Sequence, residues 1–145
     1  MEAKVKNKWR IILSVSDINL INPTTEEIID LITAAIPYTE ISAQLTRLAA
    51  HVIKINIYGK SNKSWNNTVK DAIRQIQKLN TRHKAKGVYF DLKAMRKMLT
   101  EDWGAVLTWV AKESDSQWST AALKKIVSLS EIWDQLTTLG VDKRI

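Results

Sequence analysis

The chain has 145 residues, contains no cysteine and carries a formal net charge of +7. This length suits one globular domain, and an apolar fraction of 45% is sufficient for a core. The absence of cysteine excludes disulfides and thiolate metal sites. The apolar run Ile11-Ile12-Leu13 is too short for a signal peptide or a membrane span. We therefore expect one soluble domain over residues 1–145, located in the cytoplasm or the nucleus.

Two segments alternate apolar and polar side chains, as strands do: residues 9–15 and residues 52–58. A small two-stranded ribbon that pairs them is compatible with this pattern, and a short buried helix over 9–15 is the alternative. Between the two segments, Pro23 and the capping-box spacing of Thr24 and Glu27 predict a helix that Pro37 ends.

A second helix is expected from about Thr39 to the mid-fifties. Its apolar residues are spaced as in a helix-packing seam: Ile41, Leu45, Leu48, Val52 and Ile55. The polar stretch after Gly59 separates it from a third helix, over about 65–82.

In the C-terminal half we expect a short helix over about 91–99 and another that begins near Thr100. Ser119 is the expected N-cap of the last helix, with Trp118 and Leu123 at the spacing of a hydrophobic staple. Gly140 stands where a C-terminal helix signal is expected. The predicted fold is mainly α, a compact bundle of five or six helices.

Positive charge is concentrated in the middle third of the chain. Residues 54–97 contain twelve of the 22 basic residues but only two of the 15 acidic ones, which gives this segment a net charge of +10. The other residues comprise ten basic and thirteen acidic side chains and are net −3. This segregation suggests a polyanionic partner more strongly than the total charge does.

Four cations recur at every fourth residue opposite the apolar side of the third predicted helix: Lys70, Arg74, Lys78 and Arg82. Like charges at this spacing repel each other by roughly 0.2–0.5 kcal/mol per pair, and phosphates would offset the repulsion. The predicted nucleic-acid-binding residues are these four and their basic neighbours Lys60, Lys63, Lys84, Lys86, Lys93, Arg96 and Lys97. The alternative interpretation is a solvated face that binds nothing.

No catalytic or cofactor motif is recognisable. His51 has no second histidine or carboxylate four residues away, so we expect a structural role for it, and we assign His83 to the basic surface. Five carboxylates are expected in or near first helical turns, where they favour the helix dipole: Glu26, Glu27, Asp30, Glu101 and Asp102. We therefore predict no enzymatic activity, no catalytic residue, no metal site, no cofactor and no small-molecule substrate.

The leading hypothesis is a non-enzymatic nucleic-acid-binding protein of weak sequence specificity, because the pattern indicates phosphate contact and not base readout. Aromatic residues among the cations, Tyr58 and Tyr89 above all, slightly favour RNA or single strands, whereas Trp65 and Phe90 are expected in the core. The alternative is a self-assembling or adaptor protein whose basic face meets an acidic protein surface. A matrix-type variant would place that face on an anionic membrane.

Overall fold

The computed structural model describes residues 25–60, 62–82, 87–114 and 117–143, with side chains of the first stretch described from Ile36 onward. Five helices account for most of them: α1 (Thr25–Tyr58), α2 (Lys63–Asn80), α3 (Leu92–Glu113), α4 (Thr120–Ile126) and α5 (Leu129–Thr138). These ranges contain no β-strand, and the mainly helical prediction is confirmed. None of the helices described combines the length and the apolar character that crossing a bilayer requires.

Helix α1 is the centre of the bundle. Helices α2 and α3 both pack on it, α5 packs against α1 and α3, and α4 packs against α3. The predicted seam of α1 faces this core, since Ile41, Leu45, Leu48 and Val52 are buried. Ile55, the last seam residue, is half-buried.

The prediction that Pro37 ends a helix is wrong, because Pro37 lies inside α1. The two helices expected in this region are therefore one helix of 34 residues. Proline lacks an N–H donor and its ring crowds the carbonyl four residues back, which destabilises a helix interior. Tyr38 and Ile41 are buried directly after it, and their packing offsets this cost.

Residues 52–58 form the last turns of α1, so of the two alternatives there the helix is correct and the strand is not formed. The segment that would have paired with such a strand, residues 9–15, lies outside the described residues. The alternation misleads because this end of α1 is packed on several sides. Ile53 is fully buried, while Ile55 and Ile57 pack against the edge of the core. A helix surrounded in this way has no regular polar stripe, so a period of two does not identify a strand.

Helix α3 is also one element where two were expected. Thr100, the expected start of a new helix, instead donates a hydrogen bond from Oγ1 to the carbonyl of Arg96 at 2.8 Å. A hydroxyl bonded four residues back is satisfied within the helix and is not used as a cap. The N-cap of the whole helix is Asp91, whose Oδ1 accepts from the Ala94 amide at 2.8 Å.

The last predicted helix is divided into α4 and α5. Its start is confirmed, because Ser119 Oγ accepts a hydrogen bond from the Ala122 amide at 3.1 Å. The division falls at Val127, which is extended, and at Ser128, which caps α5. Gly140 follows the end of α5 with a φ of 86°, so the predicted C-terminal signal is confirmed.

Candidate nucleic-acid interface

Helix α2 carries the first group of predicted binding residues. Asn62 Oδ1 accepts from the Trp65 amide at 2.8 Å, so the helix begins at Lys63, two residues before the expected start. Its buried residues face α1: Val69, Ala72, Ile76 and Asn80. Lys70, Arg74 and Lys78 are exposed, because residues four apart share one face of a helix and this face is opposite the buried one.

The electrostatic environment of these three cations follows from the ion pairs. Among the described residues, none of Lys70, Arg74 and Lys78 forms an ion pair. Asp71, the acidic residue next to them in sequence, pairs instead with Arg47 of α1, whose guanidinium lies 3.2 Å from its carboxylate. The charge of Asp71 is therefore matched by α1, and no carboxylate in the described part of the chain forms an ion pair with the three cations of α2.

Arg82 lies beyond α2 and not in its last turn. The helix ends at Asn80, and Thr81 forms an isolated antiparallel bridge with Val88. The half-buried Arg82 guanidinium lies 5.8 Å from the centre of the Tyr89 ring, within cation–π range. The predicted four-residue stripe therefore comprises three helical cations and a fourth held in the following turn.

The segment after α2 is fixed by its buried asparagine. Asn80 donates from Nδ2 to the Phe90 carbonyl and accepts from the Phe90 amide, both at 2.8 Å. The Phe90 ring is buried, as predicted, and contacts Tyr38 edge-on with centroids 5.6 Å apart. These bonds hold the end of α2 beside the start of α3.

The start of α3 brings a second group of cations to this end of the bundle. Lys93, Arg96 and Lys97 are exposed in its first two turns, while their neighbours on the inner face are buried: Ala94, Met95, Met98 and Leu99. Lys60 and Lys63 are exposed at the opposite end of α2. Lys84 and Lys86 lie outside the described residues, as does His83.

Lys54 belongs to the basic segment but not to its surface. It is buried, its ammonium pairs with Glu113 of α3, and its Nζ lies 5.6 Å from the centre of the half-buried Trp65 ring. The indole of Trp109 also donates to Glu113, at 2.6 Å. This cation therefore contributes to the contact between α1 and α3 and is unavailable to a ligand.

His51 completes this cluster. Its Nδ1 lies 2.9 Å from the Arg47 carbonyl, and since a carbonyl only accepts, Nδ1 carries the proton. Nε2 is then free to accept from Lys54 Nζ at 3.4 Å. Burial, helped by the charge of Lys54, lowers the pKa of His51 below its usual range. Burial would raise the pKa of Glu113, but hydrogen bonds from Lys54 and Trp109 lower it overall.

The sequence places no carboxylate four residues from His51, but the fold brings Glu113 of α3 close enough to affect it. Glu113 is 59 residues from Lys54 in the sequence, so spacing along the chain gave no signal for the cluster. The one local sign is that His51 and Lys54 interrupt the apolar residues of a packed helix.

The expectation that Glu101 and Asp102 occupy a first turn is wrong, since both lie inside α3. Asp102 accepts a hydrogen bond from the Ser42 hydroxyl of α1. Burial, with the charges of both carboxylates, raises the pKa of the Tyr38 hydroxyl. The side chains of Glu26, Glu27 and Asp30 lie outside the described part.

Within the described ranges no three His, Cys, Asp or Glu side chains are grouped as a metal site would require. No family model, curated protein or solved structure matches this chain.

Proposed function

We propose that this protein binds nucleic acid, without catalysing a reaction, through the cations of α2 and of the segments that flank it. One observation carries the proposal. Lys70, Arg74 and Lys78 are exposed at four-residue spacing, and no described carboxylate pairs with them. Phosphates placed along this face would neutralise the repulsion and release counterions.

The charges in the first turns of α2 and α3 give additional support to the proposal. The first turns of α2 and α3 contain no acidic residue, and Lys63 and Lys93 occupy the first and second positions of these helices. A cation near a helix N-terminus opposes the helix dipole. At α3 only the N-cap Asp91 offsets this arrangement locally. A bound phosphate would offset it at both helices.

The proposed ligand is RNA or a single strand, recognised with weak sequence specificity. Tyr89 is half-buried, and its ring lies beside the Arg82 guanidinium. Aromatic rings next to cations stack with unpaired bases. Weak specificity follows because phosphate contacts position a strand but do not distinguish its bases.

The test compares two charge-reversal pairs. Arg74→Glu with Lys78→Glu alters the exposed face of α2, and Lys124→Glu with Lys125→Glu makes the same change in charge on α4. Binding of labelled single-stranded RNA, single-stranded DNA and duplex is measured by fluorescence anisotropy over a range of salt. We expect log–log slopes of about −0.7 per neutralised phosphate for single strands and about −0.9 for duplex.

The double variant in α2 should weaken binding to all nucleic-acid sequences alike. It should reduce the salt slope by the equivalent of roughly one or two phosphate contacts. Its free energy of unfolding should hold or rise, because like-charge repulsion is relieved. The α4 pair should change binding little. Unchanged binding in the α2 pair would contradict the proposal. A change in oligomer size, with no nucleic-acid affinity in the wild type, would indicate the self-assembly alternative instead.

A further inference from the structure

Two adjoining cavities lie where α1 meets the C-terminal helices. One, of about 460 Å³, lies between α1, α2 and α5 and has apolar walls made by Val52, Ile55, Val69 and Leu139. The other, of about 250 Å³, lies between α1, α4 and α5 and is walled by Ile53, Ile57, Ile126 and Ile132. Asn56 lines both. The two cavities therefore form one groove along α5, the α1–α5 groove.

Each cavity includes a large hydrophobic side chain that faces solvent. Leu139 is 42% exposed in the first and Ile126 is 53% exposed in the second. Beside these two, the described residues include one other large hydrophobic side chain of this exposure, Ile36. Exposed apolar side chains clustered along a groove are typical of a contact surface.

The charge of the groove is opposite to that of the chain. Asp134 is the one charged residue that lines the first cavity, and Glu131 is the one that lines the second. Both carboxylates are exposed, and neither forms an ion pair with a described residue. In a chain of net charge +7, an apolar groove whose two charged lining residues are both carboxylates is complementary to an apolar segment that carries cations.

A side-chain hydrogen bond joins the two helices that line the groove. Asn56 Nδ2 donates to Gln135 Oε1 at 3.1 Å and so connects α1 to α5. The carboxylates Glu131 and Asp134 are three residues apart on α5 and therefore share one face of that helix. Two adjoining cavities suit side chains one or two helical turns apart on a ligand.

We propose that the α1–α5 groove is a docking site for an amphipathic helix of another protein, with leucine-like residues at i, i+3 or i+4, and i+7 and with Lys or Arg beside them. The apolar residues would enter the two cavities, and the cations would pair with Glu131 and Asp134. The basic face of α2 in a second copy does not meet this description, because its exposed residues Lys70, Arg74 and Lys78 include no large hydrophobic side chain. The proposal is independent of nucleic-acid binding.

The probe is a fluorescent synthetic helix of about three turns with leucines at i, i+3 or i+4, and i+7 and with lysines at the positions beside them. A second peptide with glutamines in place of the lysines has the same apolar face without charge. Each is titrated with the wild-type protein and with Leu139→Asp, Asp134→Lys and the controls Ile36→Asp and Glu40→Lys, which repeat the same changes at exposed positions outside the groove. Circular dichroism checks that each variant is folded.

The lysine peptide should bind the wild type at least tenfold more tightly than the glutamine peptide, although the protein is itself cationic. Leu139→Asp should weaken binding of both peptides about tenfold, Asp134→Lys should weaken only the lysine peptide, and both controls should bind as the wild type does. Equal affinity for the two peptides, or no effect of Leu139→Asp, would overturn the proposal. So would a wild-type dimer in sedimentation equilibrium that Leu139→Asp dissociates, since the occupant would then be a second copy.

Discussion

Lys54 of α1 and Glu113 of α3 form an ion pair in which one partner is buried and the other is not. The Lys54 side chain is 7% exposed, whereas that of Glu113 is 43% exposed. Water can solvate Glu113 if Lys54 is lost, but a protein interior cannot solvate Lys54 if Glu113 is lost. The two halves of the pair therefore contribute unequally to stability.

This inequality is testable in a double-mutant cycle. Glu113→Gln should lower the free energy of unfolding by about 3 kcal/mol, because it leaves a buried ammonium without a counter-charge. Lys54→Met should lower the free energy of unfolding by about 1 kcal/mol or less, since an apolar side chain of similar length fills the same space. In urea denaturation the double variant should resemble Lys54→Met. Equal losses in the two single variants would mean that Lys54 is solvated in the folded protein.

Stability should also fall on acidification, in two steps. The pKa of His51 is lowered from 6.5, so the unfolded chain takes up a proton there before the folded protein does. The resulting stability is fully present above about pH 6.5 and is lost as the pH falls through the folded-state pKa. Glu113, whose pKa is lowered from 4.5, should add a second loss below that value.

The measurement is the urea midpoint between about pH 8 and about pH 4. His51→Gln should flatten the profile just below about pH 6.5, where the unfolded chain takes up a proton at this residue before the folded protein does. His83→Gln makes the same substitution at the other histidine of the chain and is the matched control. If the slope in that interval survives in His51→Gln, it originates at another group.

Replacement of Pro37 should stabilise the protein. Because Pro37 lies within α1, Pro37→Ala restores a backbone donor and removes the clash of the ring, with a gain of roughly 1–3 kcal/mol. The free energy of unfolding from urea denaturation and the helical ellipticity should both rise. If instead a helix ended at Pro37, the substitution would leave stability unchanged or reduce it.

The boundary between α4 and α5 can be tested at its serines. Ser119→Ala and Ser128→Ala should each cost about 0.5–2 kcal/mol, because each removes the acceptor for an amide in a first turn. Ser130→Ala, at an exposed position within α5, should be neutral or slightly stabilising since alanine favours helix. Trp118→Ala should lower the free energy of unfolding more than either serine substitution does, because the half-buried ring packs against the core. A neutral Ser128→Ala would mean that α4 continues into α5 in solution.

Local signals in the sequence identified several features that the structure confirms. The spacing of Ile41, Leu45 and Leu48 predicted the buried side of α1, and Ser119 and Gly140 marked a helix start and a helix end. Most of the candidate site was predictable in the same way, since the exposure of Lys70, Arg74 and Lys78 follows from the apolar positions of α2. Each of these features depends on residues within a few positions of each other.

Other features depended on contacts between distant parts of the chain. Lys54 is not part of the basic surface because it is buried and pairs with Glu113 of α3. Asp71 pairs with Arg47 of α1, and Asp102 accepts a hydrogen bond from Ser42. Pro37 remains within α1 because the residues after it are buried in the core. Periodicity and caps report how a segment folds next to its neighbours in sequence. Tertiary packing alone determines which charges are buried and paired, because burial and pairing require groups from separate helices.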